Sequence, residues 1–258
     1  MSKTTPLSHL ELALSGPILY LLPDESGQHL VVEFLADDLP VFYWIDLHQK
    51  AITKELHVAS EYKNIVLHSF SEDYILTQRF SDQNNPNSVE IFKFEWNNPE
   101  PTFVQIDSQI LTHGAGWIET PHPHFQGKTV FIDLTTGRST DKTLPASPYE
   151  TSHVQFPVAY SDQSQYFDWF EKLLVKNDHT PVKSCEYLKH KDTLVLSYYV
   201  IENKKLLNYL LIMNQKGEAL DRFLLAGGLK GIGKDTFFLT HNQLIFVTDK
   251  HILNVIEL

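Results

Sequence analysis

An all-β fold, a β-propeller of four-stranded antiparallel blades, is what this sequence predicts. Three observations lead there. Short apolar runs rich in Val, Ile, Leu, Tyr and Phe alternate with Asn, Asp, Gly and Pro along most of the chain, the pattern of strands joined by tight turns. The segments WIDLHQKAITKE (Trp44–Glu55), FIDLTTGRSTDK (Phe131–Lys142) and LIMNQKGEALDR (Leu211–Arg222) each carry an apolar strand, a short polar turn and a more polar strand. Groups of four such strands recur at about 40–45 residues, the period of propeller blades. One meander cannot bury both of its apolar faces, whereas copies set radially cover one another.

The elements follow in order. His9–Leu14 alternates, with Leu10, Leu12 and Leu14 on one face, and Gly16-Pro17 ends it. Ile18–Leu22, His29–Leu35, Val41–Leu47 and Ile52–His57 make a first four-stranded unit. Asn64–Phe70, Tyr74–Phe80, Ser88–Trp96 and Thr102–Ile106 make a second, with Asp82–Asn87 and Asn97–Pro101 as turns. A third begins at Gln109–His113 and resumes at Lys128–Leu134 and Arg138–Leu144. Between them WIETPHPHFQG contains Pro121 and Pro123, which remove ladder donors and predict an edge or a loop.

Pro145–Val182 departs from the repeat and reads as an insertion or a degraded blade. His153–Tyr160 is a strand candidate. Tyr166, Trp169, Phe170, Leu173 and Leu174 then fall at helical spacing, with Ser161 or Ser164 as N-cap. Lys183–Ala226 is a full unit. It is built on Thr193–Ile201, Leu206–Met213 and Ala219–Leu225, and opens with Ser184–Lys189. Thr236–Thr240, Gln243–Thr248 and His251–Leu258 supply only three strands. His9–Leu14 is the expected fourth, so Leu10, Leu12 or Leu14 should pack on the sheet holding Ile252 and Val255. The expectation is a single domain over residues 1–258 with five blades plus the helical insertion, closed by the N-terminal strand. Six blades is the alternative if Pro145–Val182 forms a blade of its own.

Composition narrows the function classes. Against 32 Asp and Glu stand 21 Lys and Arg, a formal net charge of −11. That sign disfavours nucleic acid and anionic lipid, so neither a nucleic-acid nor a membrane partner is expected. The single cysteine, Cys185, excludes an internal disulfide and suits a reducing compartment. The N-terminus has no apolar core of signal-peptide length, and the apolar run Leu206–Met213 is too short to span a bilayer. The expected localisation is cytoplasmic.

The densest ligand-capable stretch holds His113, Trp117, Glu119, His122 and His124. Trp117, Glu119, His122 and His124 are the candidate ligand-binding residues. Imidazole with carboxylate also suits a divalent metal, for which His113, His122 and His124 are the candidate ligands. The spacing matches no defined metal motif, and no cofactor is predicted beyond that divalent ion. Gly228 to Lys234 follows a phosphate-loop spacing. However, Asp235 stands where Ser or Thr would bind magnesium, and a strand follows instead of a helix, so it reads as a turn. No Gly-x-Ser-x-Gly elbow occurs. Cys185 reads as a core residue, and Tyr43, Trp44 and Trp96 as candidates for an exposed patch.

In its repeat the chain resembles β-propeller proteins. In length and in the order SCEYLKHKDTLVLSYYVIENKKLLNYLLIMNQKGEALDRFLLAGG it also resembles an uncharacterised family of about 260 residues from Bacteroidetes bacteria, a domain of unknown function. That resemblance implies the fold and a bacterial origin, and no activity. The first functional reading is a non-catalytic scaffold binding an unidentified protein or small-molecule ligand. The alternative is a divalent-metal-dependent hydrolase or lyase with its site at the central channel, and fold does not choose between them.

Overall fold

The computed structural model describes residues 9–80, 88–114, 116–140 and 153–258. Among them the strands form five antiparallel sheets, accompanied by one α-helix. The expected turn Asp82–Asn87 and the start of the insertion at Pro145 lie outside the described residues.

The first strand, β1 (His9–Ala13), joins the last sheet of the chain and is treated with it below. The first sheet holds β2 (Ile18–Pro23), β3 (His29–Ala36), β4 (Leu39–Asp46) and β5 (Ala51–His57) in sequence order. The second holds β6 (Val66–Phe70), β7 (Tyr74–Phe80), β8 (Val89–Glu95) and β9 (Phe103–Gln105), again in order. The third holds β10 (Thr112–Gly114), β11 (Trp117–Pro121), β12 (Thr129–Asp133) and β13 (Ser139–Thr140). Here the expected edge or loop holds for residues 122–127 and is overturned for Trp117–Pro121: β11 is an interior strand, paired to β10 and β12. Pro121 is tolerated because it ends the strand, and Pro123 lies in the turn beyond it.

The segment after residue 152 is not one strand. β14 (Val154–Gln155) pairs with β20 (Phe237–Thr240), and β15 (Val158–Ser161) pairs with β16 (Val182–His190). Phe156-Pro157 divides them between two sheets, so among the described residues this stretch extends its neighbours and makes no sheet of its own. The helix α1 (Phe167–Val175) follows β15. Its first residues have no side-chain cap; Tyr166 occupies the N-cap, where a serine was expected. The fourth sheet runs β15, β16, β17 (Thr193–Glu202), β18 (Lys205–Asn214) and β19 (Ala219–Leu229). The fifth runs β1, β22 (Ile252–Glu257), β21 (Gln243–Thr248), β20 and β14. The expected pairing of the two chain ends is present: Leu10 lies opposite Val255, and Ala13 opposite Ile252.

The turns have chemical causes. Asp37-Asp38 and Asn203-Lys204 all take positive φ, as two-residue hairpin turns require. The repeated motif also has one. Asp46 accepts the N–H of Gln49 at 2.8 Å, Asp133 that of Thr136 at 2.7 Å, and Asn214 that of Lys216 at 2.9 Å. In each, a side-chain oxygen at the end of the sheet's penultimate strand folds the turn to its last strand. The Asp133 carboxyl is held below its ordinary value by the backbone N–H and hydroxyl of Thr136 and by the N–H of Thr135.

The chain divides into two compact units, residues 19–152 and residues 1–18 with 153–258. In the first, Val31, Phe42 and Trp44 of the first sheet pack on Ile75, Phe92 and Phe94 of the second. The second sheet turns its other face, Leu76 and Ile91, to Ile118 and Ile132 of the third. Trp44 and Trp96 meet edge to face inside this core at 5.6 Å, so neither contributes to an exposed patch. In the second unit, Val195, Leu210 and Ile212 of the fourth sheet pack on Phe237, Leu244 and Phe246 of the fifth. The opposite face of the fourth sheet, Cys185, Leu196, Tyr198, Leu211 and Met213, is covered by Phe167, Phe170 and Leu174 of α1. No described helix is long and apolar enough to cross a membrane.

Deleting residues 1–13 leaves the ladder edge of β22 open above fully buried Leu253 and Val255. The expected result is a loss of about 2–4 kcal/mol of stability in urea and concentration-dependent self-association by light scattering. An unchanged midpoint with a monodisperse monomer would show that β1 contributes nothing.

Candidate functional site

The histidine-rich stretch is spread over β10, β11 and the turn to β12. Trp117 is buried on β11, edge to face with Phe131 at 5.4 Å. Its ring lies so close to Gly114 that a Cβ there would sit 2.5 Å from Cε2. Trp117 is therefore packing across β10 and β12 and forces a glycine opposite itself. Glu119 lies between Thr112 and Phe131 in the ladder. His122 and His124 share the β11–β12 turn, where His124 donates its backbone N–H to His122 Nδ1 at 3.1 Å. One ring nitrogen of His122 is thus already used in shaping the turn. His113, on β10, meets the imidazole of His68 edge to face at 5.4 Å. Among the described residues no three His, Cys, Asp or Glu side chains are grouped to hold a metal ion.

The glycine-rich segment is a turn whose donors are already engaged. β19 continues through Gly227 and Gly228 to Leu229, and the loop then leads into β20. Glu186, buried on β16, accepts the N–H of Asp235 at 2.6 Å, the N–H of Thr236 at 3.0 Å and the Thr236 hydroxyl at 2.5 Å. Tyr199 Oη accepts the N–H of Gly233 at 2.7 Å. The protein's own carboxylate and phenol thus take three of the N–H groups flanking Lys234 that a phosphate would otherwise draw on. Thr236 and Asn208 both reach Ser197 Oγ, at 2.7 and 3.0 Å, so the buried polar network is continuous.

A second buried carboxylate is less well provided for. Glu33 on β3 is fully buried; its Oε2 accepts the N–H of Leu67 at 2.7 Å, and Oε1 has no hydrogen-bond partner among the described residues. Burial pushes its pKa up to about 7, against the pull of the Leu67 N–H. His68, next along β6, is the extra residue of a bulge between the pairs Leu67–Thr77 and Ser69–Leu76. Burial, with the neighbouring His113, lowers its pKa to about 4. Loss of solvent around its ring lowers that of His113 too, opposed by Glu25. Near neutral pH this region therefore holds neutral imidazoles beside a carboxyl at its midpoint. The groups face two different cores, Glu33 toward that containing Val31 and His68 toward the third sheet.

The cavity with a coherent lining is elsewhere and is aromatic throughout. Tyr160 of β15, Tyr187 of β16, Tyr166 at the helix N-cap, and Trp169 and Phe170 of α1 line an open pocket of about 170 Å³. Val158 pairs with Tyr187 and Tyr160 with Cys185, which sets Tyr160 and Tyr187 on the one face that α1 covers. The rings meet edge to face: Tyr160–Tyr166 at 5.7 Å and 78°, Trp169–Phe170 at 5.0 Å and 74°, Trp169–Tyr187 at 5.9 Å and 80°. Phe170 is 2% exposed and forms the floor; Trp169 is 47% and Tyr166 55% exposed, and they form the rim. Burial, and then Tyr160, raises the Tyr187 phenol above its ordinary value, so it stays neutral.

Tyr166, Trp169 and Phe170 fall at helical spacing as expected, yet of the three only Phe170 is buried. The buried helix positions are Phe167, Phe170 and Leu174, and the stripe is rotated by about one residue, which leaves Tyr166 and Trp169 outside the core. The signal in the sequence is an aromatic excess, YFDWF, larger than a nine-residue helix needs to cover one sheet face. Cys185, directly under the helix, is fully buried and its thiol is pushed up to about 12 by burial, as fits a packing residue.

No protein-family model matches this chain, and no curated protein matches it in sequence. The resemblance to the Bacteroidetes family thus stays an expectation of the sequence. Several solved structures align at low similarity. BamB from Moraxella catarrhalis is 10% identical, over 90% of this chain and 70% of that one, with a TM-score of 0.25. An uncharacterized protein from Listeria monocytogenes is 10% identical over 93% and 82%, with a TM-score of 0.35. The Dos1 propeller is 9% identical over 94% and 78%, with a TM-score of 0.27. The account of the fold rests on the sheet topology above.

Replacing Glu186 by Ala removes the acceptor of three part-buried donors and should cost about 2 kcal/mol in urea unfolding; a loss below ~0.5 kcal/mol would contradict the role given to it. Glu33 and His68 should tilt the stability curve in opposite directions. Folded Glu33 keeps its proton to about pH 7, while the unfolded side chain releases it near 4.5, so its contribution falls as pH rises through that window. Folded His68 stays neutral to about pH 4 but protonates near 6.5 when unfolded, so its contribution falls as pH drops through that window. Relative to wild type, Glu33→Gln should gain about 3 kcal/mol between pH 4.5 and 7. His68→Leu should gain on acidification below 6.5. Urea midpoints at pH 4.5, 6 and 7.5 measure both; curves parallel to wild type would contradict the assignment.

Proposed function

We propose that this chain is a non-catalytic binding module of the β-propeller type, and that its ligand enters the aromatic pocket beneath α1. The propeller reading is supported by five antiparallel sheets whose strands follow sequence order, apart from two short additions at β14 and β15, and by an N-terminal strand that completes the last sheet. The repeat of Asp46, Asp133 and Asn214 at the turn to each sheet's last strand supports it again.

The observation that carries the binding reading is the pocket's lining. Five aromatic side chains line one small open pocket, and two of them are half-exposed at its mouth. Large apolar rings left in water beside a cavity are costly unless something binds there. The lining presents aromatic rings, and it contributes no thiol, imidazole or carboxylate to do chemistry. At about 170 Å³ the cavity is smaller than the ~300–1,000 Å³ of sites for drug-sized ligands, so it suits a headgroup or one side chain.

A ligand-detected NMR screen of small cations, sugars and short peptides against the full chain tests this. Binders should be lost in Trp169→Ala, while stability changes by under ~1 kcal/mol because the residue is half-exposed. Binders that survive both Trp169→Ala and Tyr166→Ala would place the binding site elsewhere.

A further inference from the structure

Resting on that reading, we infer that the pocket selects an alkylated ammonium cation, the trimethylammonium head of a choline-like molecule or of a methylated lysine. Ring faces are the negative side of an aromatic quadrupole, and a box of such faces is the known solution for binding a cation that has no N–H to satisfy. The edge-to-face packing of Trp169 against Phe170 and Tyr187, and of Tyr160 against Tyr166, turns rings in different directions around the cavity. Indole gives the strongest attraction of the three ring types, and Trp169 is the ring at the mouth.

Charge points the same way. From Val158 through the end of α1 at Val175 the chain carries Asp162, Asp168 and Glu171 against a single Lys172, all four exposed. The chain as a whole is at −11. An anion would be opposed by the chain's net charge and by the π-face of any ring it contacts. An unmodified lysine ammonium is strongly hydrated and would find only phenol oxygens to replace its water. A sugar, with many hydroxyls to satisfy, would have only three phenol hydroxyls and one indole N–H to pair with. A proline-rich peptide needs a groove several residues long, beyond about 170 Å³. Methylation removes the N–H groups, spreads the charge over an apolar shell and lowers the desolvation cost, so the alkylated ion fits where the others do not.

The chain provides its own probe. Of its four tryptophans, Trp44, Trp96 and Trp117 are buried, and Trp169 alone is half-exposed. The full chain is titrated with tetramethylammonium, with choline, with its neutral isostere 3,3-dimethylbutan-1-ol, and with a trimethyllysine peptide beside its unmethylated form, following tryptophan fluorescence and heat. Saturable binding of the cations, weakened roughly tenfold or more for the isostere, is the expected result. It should disappear in Trp169→Ala and persist, weaker, in Trp169→Phe. A trimethyllysine peptide binding more tightly than choline identifies a modified protein as the source; the reverse identifies a free small molecule. Equal affinity for choline and its isostere overturns the cation inference but leaves an apolar ligand pocket standing. No saturable response to any cation also overturns it, and binders lost in Trp169→Ala during the broader screen would then keep the pocket reading alive on its own.

Discussion

The constraint on which this structure depends is that its sheets are apolar on both faces. In β3, Leu30, Val31, Val32 and Phe34 are all essentially without solvent contact, and in β17 so are Val195, Leu196, Tyr198 and Tyr199. Successive residues of a strand point to opposite sides, so a run of this kind requires a cover above and below. The two units meet that requirement differently. Residues 19–152 stack three sheets, and the middle one is covered by its neighbours on both faces. Residues 153–258 with 1–18 use one sheet and one helix, and α1 takes the place of a sheet over the fourth. At roughly 1.5–3 kcal/mol for each large side chain removed from water, these layers dominate what holds each unit together.

Polar groups trapped between such layers must find partners there. Glu186 does so completely: its two oxygens hold the start of β20, and Thr236, Ser197 and Asn208 extend the network. The result is a fixed entry into the last sheet, at the point where a glycine-rich sequence would otherwise leave the chain loose. Glu33 performs a similar joining task between β3 and β6 with a single N–H. The difference in partners explains why its carboxyl keeps a proton at a pH where an ordinary one is ionised.

Replacing a neighbouring sheet by a short helix creates the aromatic pocket. A nine-residue helix is narrower than the sheet beneath it, and Phe167, Phe170 and Leu174 cover only part of the face. Tyr160 and Tyr187 rise from the sheet beside the helix, while Tyr166 and Trp169 lean over from above. The gap between a cylinder and a flat layer is thereby lined with rings. The function proposed for it follows from the architecture of the layer, without any catalytic apparatus.

The strands were legible residue by residue because alternation, β-branched content and Asn, Asp, Gly and Pro at turns are local properties. The first sheet was drawn from sequence nearly to its ends, and the partnership of His9–Leu14 with the C-terminal strands followed from a missing fourth strand. The repeated Asp and Asn at strand ends were visible as a motif, though their hydrogen bonds were not. Three features were decided only by the tertiary structure. The edge or interior position of Trp117–Pro121 depends on which strands lie beside it, and proline at a strand's last residue violates nothing locally. Histidines close in sequence parted because His113 faces His68 while His122 and His124 turn away in a loop. The aromatic pocket needed β15, β16 and α1 brought together, and a helical stripe alone does not say which of its rings will be covered. Local pattern determines which residues become strands; what stands over each face is a long-range packing question, and the site arises there.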